Sequence, residues 1–124
     1  MIKIFRKIIK GEKRGKIIGF PTLNFNLKKS DKIKRGVWVV RLKIKGKSYF
    51  GAANAGSAKT FDDKKEKIEV HLFSKPPKAL KKTELHFLRY LRKTKEFKTI
   101  KGLKKQIKKD IKKGLSFLGH LKPR

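Results

Sequence analysis

Cysteine is absent from the 124 residues. The chain can therefore form no disulfide, offer no thiolate nucleophile and hold no cysteine-ligated zinc, which fits a reducing compartment. Long apolar runs are also missing, and none approaches the roughly 20 residues that a membrane-spanning helix needs. The opening Met1–Lys10 stretch is interrupted by lysine and arginine too often to be a secretory apolar region. Acidic residues are scarce, with 9 Asp+Glu against 38 Lys+Arg and a net charge of +29. Arginine is scarce among the cations, since 7 of the 38 are arginine and 31 are lysine. Readers of base edges lean on arginine forks and single-strand binders on exposed aromatics. A lysine excess spread from Lys3 to Lys122 fits a solvated surface better than either. The expectation is a soluble cytoplasmic protein with no membrane partner, and with nucleic acid as a less favoured one.

What is present is enough to build a core. Hydrophobic residues make up 37% of the chain and include nine Phe. A single domain spanning residues 1–124 would bury roughly two-thirds of its unfolded surface. Strict alternation dominates the first ninety positions and argues strands. Ile2, Ile4 and Ile8 alternate with Lys3, Phe5 and Lys7, and Trp38, Val40, Leu42 and Ile44 share one face. Lys45-Gly46-Lys47 reads as a hairpin turn into a strand over 48–53. Ile68, Val70 and Leu72 oppose Glu69, His71 and Phe73, and Leu85, Phe87 and Leu91 mark a last strand over 84–91. The period then changes. Leu103, Ile107 and Ile111 recur every four residues among lysines, the stripe of an amphipathic helix, and Gly114 reads as its end. Short strands followed by one helix predict a mainly β fold, a small antiparallel barrel with a C-terminal helix packed on it.

Common catalytic patterns fail. His71, His86 and His120 lack metal-ligand spacing, and Ser57 has only one of the two glycines of a nucleophile elbow. Gly46-Lys47-Ser48 mimics the end of a P-loop, but Arg41 stands where the first glycine belongs. The stretch from Gly11 to Asn24 is more informative. Gly11, Gly15 and Gly19 let backbone N–H groups turn toward an anion, and Arg14 and Lys16 add positive charge there. Thr22 and Asn24 would then project from one side of an extended segment. Their neutral oxygens suit Mg²⁺ already held by nucleotide phosphates.

Gly11–Gly19 followed by Phe20-Pro21-Thr22-Leu23-Asn24 resembles the phosphate loop and Pro-Thr-Ala-Asn motif of the riboflavin kinase (flavokinase) family, the kinase module of bacterial bifunctional riboflavin kinase/FAD synthetases. Three more blocks follow in family order. Gly51-Ala52-Ala53-Asn54-Ala55-Gly56 with Thr60-Phe61 is similar to the family's Gly-Val-Ala-Asn-Ile-Gly…Pro-Thr-Phe block. Ile68–Phe73 resembles its Glu-Val-His strand, and Phe87–Arg92 with Glu96-Phe97 and Leu103–Asp110 resembles its closing strand and helix. The chain departs from the family at Lys13 for glycine, Leu23 for alanine and Lys59 for proline. Pro77–Lys81 occupies the place of a Leu-Tyr-Gly loop that borders the flavin and nucleotide sites.

The resemblance implies a six-stranded antiparallel Greek-key barrel with a C-terminal helix. It also implies transfer of the γ-phosphate of ATP to the 5′-hydroxyl of riboflavin, giving FMN and ADP. Carried over by motif, Glu69 is the catalytic carboxylate. Gly11, Arg14, Gly15, Lys16, Gly19, Thr22 and Asn24 bind the ATP phosphates, and Thr22 and Asn24 also hold Mg²⁺. Arg92 and Phe97 fall where the family builds its flavin pocket. Nothing resembles the nucleotidyltransferase domain that converts FMN to FAD, so this chain, acting as a monomer, is expected to stop at FMN. The competing reading is a non-catalytic flavin-binding or basic nucleic-acid-binding module on the same barrel.

Overall fold

Alternating apolar residues become six strands in the computed structural model, which describes residues 1–9, 21–58, 63–75 and 81–121. They are β1 (Ile2–Ile9), β2 (Thr22–Asn26), β3 (Gly36–Ile44), β4 (Lys47–Ala58), β5 (Asp63–Leu72) and β6 (Lys82–Arg92). All neighbours pair antiparallel in the order β1-β2-β5-β4-β3-β6, and β6 pairs back onto β1 to close the barrel. Closure leaves no free sheet edge, a physical advantage for a small all-β unit. The strands run longer than their alternation predicts. β4 continues past Ala53 to Ala58, because Asn54, Ala55 and Gly56 keep pairing with Glu69, Ile68 and Lys67.

The predicted faces are the observed ones. Val40, Leu42 and Ile44 point inward with Ile68, Val70 and Leu72, each at most 6% exposed, and Phe25 and Phe87 fill the space between them. Leu23 packs against the same core, so its extra bulk is taken up inside the barrel. Trp38 closes one end, its ring edge-on to Phe87 at 5.6 Å and to Tyr90 at 5.3 Å. The β3–β4 connection is the expected tight hairpin. Lys45 (φ 49°) and Gly46 (φ 81°) both lie in the left-handed region that a two-residue type I′ turn requires.

A helix, α1 (Ile100–Leu121), follows β6. The Thr99 hydroxyl accepts the Gly102 N–H at 3.0 Å and caps its first turn. The helix does not stop at Gly114, as its sequence suggests, but runs seven residues further. The reason is packing: a Cβ at Gly114 would sit 2.6 Å from Phe73 Cζ and 3.5 Å from Val39 Cγ2. This glycine permits close approach of helix and barrel rather than ending the helix. The buried stripe is accordingly Ile107, Asp110, Gly114 and Leu118, with Leu103 and Ile111 half-buried at its margins. Among the described residues no helix is long and apolar enough to cross a membrane.

Candidate active site

The outward faces of β2, β5, β4, β3 and β6 carry side chains in register. Asn24 pairs with Glu69, Glu69 with Asn54, Asn54 with Val37, and Val37 with Arg92. One step along the strands, Thr22 pairs with His71 and His71 with Ala52. The polar row therefore arises because one face of each strand is committed to the core, and side chains of period two place everything else outside. Small Ala52 keeps the floor low, and the first half of α1 forms the wall above it. The result is a narrow cleft of about 60 Å³ bounded by Glu69, His71, Asn54, Phe97, Leu103 and Ile107 among others.

The side chains along the row are held from several directions. Glu69 is flanked by His71 Nε2 at 3.3 Å from Oε1 and Lys67 Nζ at 3.9 Å from Oε2. The His71 nitrogen is near enough for contact but not aligned for a hydrogen bond. Asn54 Oδ1 accepts a hydrogen bond from the Thr94 hydroxyl at 2.9 Å. Arg92 is fastened by a two-pronged ion pair to Asp110, Nε to Oδ1 at 2.9 Å and Nη2 to Oδ2 at 2.7 Å. Gln106 Nε2 donates to the same carboxylate at 3.0 Å. Asp110 is 3% exposed, so this fork ties the end of β6 to α1 and fixes the height of the cleft roof.

Asn24 is 5% exposed, and its Oδ1 is buried with no hydrogen-bond partner among the described residues. A buried acceptor left without a partner costs free energy, so this oxygen is a candidate contact for a ligand. Thr22, two residues away, faces the same side. Among the described residues no group of three or more His, Asp or Glu side chains is placed to hold a metal ion by itself.

The fold thus brings together Thr22, Asn24 and Glu69 on adjacent strands, and Glu69, Arg92 and Phe97 around one cleft. Gly11, Arg14, Gly15, Lys16 and Gly19 lie outside the described residues, as do Lys13, Lys59 and most of the stretch from Pro77 to Lys81. Sequence reasoning quoted Asn54, His71 and Asp110 within motifs without giving them work, and passed over Thr94. Alternation could have placed Asn54 and His71 outside the barrel. The register that sets Asn54 beside Glu69 is a property of the assembled sheet.

Comparison with known proteins agrees with this geometry. The family model for flavokinase, described as riboflavin kinase, matches residues 1–118. A bifunctional riboflavin kinase/FMN adenylyltransferase from Haemophilus influenzae is 33% identical over 117 residues, covering 93% of this chain and 38% of that protein. The Bacillus subtilis protein of the same name is 32% identical over 120 residues, again covering 93% and 38%. An RNA-binding riboflavin kinase, also from B. subtilis, is 32% identical over 106 residues, covering 84% of this chain and 46% of that one. The chain thus spans less than two-fifths of the length of the bifunctional relatives. Among solved structures, that of a macrolide-efflux protein from Streptococcus pneumoniae superposes with a TM-score of 0.69 at 26% identity, over 87% of this chain and 36% of that one. With its polar row on the outside of a closed barrel and the family model covering nearly its whole length, the chain belongs to the riboflavin kinase (flavokinase) family.

Proposed function

We propose that this chain is a kinase module, working in the cytoplasm, that transfers the γ-phosphate of ATP to the 5′-hydroxyl of riboflavin and releases FMN and ADP. The observation that carries the reading is the row Asn24–Glu69–Asn54, with an unsatisfied buried oxygen beside a carboxylate at the mouth of a partly apolar cleft. Phe97, Leu103 and Ile107 supply the apolar side of the cleft, against which a tricyclic flavin ring would pack. The ribityl chain would then lead its terminal hydroxyl toward Glu69.

In the transfer, the hydroxyl oxygen forms a bond to the γ-phosphorus, the bond to the β,γ-bridging oxygen breaks, and ADP leaves. Glu69 accepts the hydroxyl proton, and His71 and Lys67 hold its carboxylate in place. Positioning and charge neutralisation supply most of the rate in such reactions. Thr22 and Asn24 fit a Mg²⁺ that arrives with the nucleotide. Their oxygens are neutral, Asn24 Oδ1 lacks a partner among the described residues, and a hard cation with phosphate ligands needs only one or two protein oxygens. That ion supplies charge neutralisation on the phosphates. The residues proposed for the phosphate loop, Gly11, Arg14, Gly15, Lys16 and Gly19, would act on the same phosphates. Arg92, engaged by Asp110, would shape the flavin pocket alongside Phe97.

Incubation with riboflavin, ATP and Mg²⁺, followed by chromatographic separation of the flavins, tests the reading. The expected result is FMN from the parent protein. Glu69→Gln should lower its rate by about 10²- to 10⁴-fold, the usual worth of a general base, with an unchanged melting curve. FMN formation at the parent rate by Glu69→Gln would remove Glu69 from the chemistry. No FMN from the parent protein would remove the kinase reading.

A further inference from the structure

The outer half of α1 is a surface that the flavin cleft does not use. Lys101, Lys104, Lys105, Lys108, Lys109, Lys112 and Lys113 recur on every turn, and all but half-buried Lys104 are exposed. They cover an arc opposite the buried stripe of Ile107, Asp110 and Leu118 and run about 18 Å along the axis. The only acid within α1 is Asp110, which is buried and taken up by Arg92. No carboxylate of the helix therefore offsets this ridge.

At its C-terminal end the ridge meets a concavity lined by Arg89, Tyr90, Leu91, Lys113, Ser116 and Phe117. The exposed Arg89 guanidinium lies 5.3 Å from the centre of the half-buried Phe117 ring. Among the described residues no acidic side chain lines the concavity. Lys113 belongs to both features, so cationic ridge and stacking cleft are continuous. A run of cations leading into an arginine–aromatic cleft has the chemistry of a single-strand binder. The cations follow the phosphates, and a planar base stacks beside Arg89 and Phe117.

We propose that this face binds single-stranded nucleic acid, with a base held at Arg89 and Phe117 and the following phosphates along the lysine ridge of α1. Duplexes are disfavoured, because their bases are not available to enter the cleft. The surface is separate from the row around Glu69: Leu103, Ile107 and Asp110 of the helix line that cleft, whereas Lys113, Ser116 and Phe117 line the concavity.

Fluorescence anisotropy with a short labelled oligouridylate, titrated at several NaCl concentrations, measures the interaction. Four to seven neutralised phosphates give an expected slope of log affinity against log salt of about −3 to −5 for a single strand. Replacing Lys105, Lys109 and Lys112 together by Gln should make the slope about 2 shallower. Arg89→Ala, at an exposed position outside the core, and Phe117→Ala should each weaken binding about tenfold while leaving the slope unchanged. Thermal melts establish that the variants are folded. Equal affinity for a duplex, with Arg89→Ala and Phe117→Ala both binding like the parent, would overturn the proposal. So would parent-like binding by the triple lysine variant, or tighter binding to phosphatidylserine vesicles than to the oligonucleotide.

Discussion

Arg6 and Asp31 meet through hydrogen bonds of 2.7 and 2.8 Å, and their side chains are 13% and 6% exposed. Arg6 also donates to Asn26 O, so the pair fastens β1 to the turn that follows β2. The guanidinium holds the Asp31 carboxyl below its ordinary range, against the opposing effect of burial and with help from the Lys28 N–H. Because the folded value lies below the unfolded one, this contribution is complete above about pH 4 and is lost as pH falls through the folded value. Asp31→Asn should therefore cost about 2 kcal/mol at neutral pH, and the gap to the parent protein should close in acid. Urea melts across pH measure both effects, and a gap independent of pH would show that the pair does not carry it. The residues of the candidate site differ in how far sequence could reach them. Thr22, Asn24 and Glu69 stand in motifs whose order is visible along the chain. Asn54 meets Glu69 only across two strands, and Thr94 meets Asn54 across forty residues, so neither neighbour was visible.

Secondary structure follows local pattern wherever one face is committed to the core. β3 is the clearest case, since Val40, Leu42 and Ile44 alternate with Arg41 and Lys43 and turn inward, and half-buried Trp38 packs against the same core. Its hairpin was legible for the same reason, because Lys45-Gly46 is short and ends in the residue that tolerates positive φ. The helix shows where local pattern stops being sufficient. A glycine near the end of an apolar stripe normally reads as a terminus, yet Gly114 lies within α1 because Phe73 and Val39 occupy the space of its missing Cβ. Phe73 comes directly after β5, far away in the chain, so nothing near Gly114 in sequence announces it. Gly114→Leu should push the helix off the barrel and cost about 1–3 kcal/mol, as overpacking does. On the proposed function, the same displacement should raise the KM for riboflavin, since the first half of α1 lines the cleft. A variant as stable as the parent would show that the helix can shift without loss.

For the whole molecule, 38 cations meet too few acids to be neutralised locally. The best acids are already committed: Asp31 to Arg6, Glu66 to Arg35 and Asp110 to Arg92. On α1, Lys101–Lys105, Lys104–Lys108, Lys105–Lys109, Lys108–Lys112 and Lys109–Lys113 are like-charge neighbours four residues apart, each destabilising by about 0.2–0.5 kcal/mol. Salt screens exposed charges, with a Debye length falling from about 30 Å at 0.01 M to about 3 Å at 1 M. The melting temperature should therefore rise with NaCl across that range, the reverse of a protein held together by surface ion pairs. Calorimetry at several salt concentrations checks the sign, and a falling melting temperature would mean that attractive pairs dominate.

Composition and alternation by themselves determined a mainly β domain with a C-terminal amphipathic helix. Burying one face of each strand is the strongest local demand on the chain, and it leaves a period readable from residue to residue. The order of motifs carried the family and the identity of Thr22, Asn24 and Glu69. Tertiary structure decided the rest. Strand register aligned Asn24, Glu69 and Asn54 in one row, and the Arg92–Asp110 fork set the helix over the cleft. Contact with Phe73 carried α1 through Gly114. Each of these depends on residues distant in sequence meeting at a separation of a few ångströms, and only closure of the barrel brings them there.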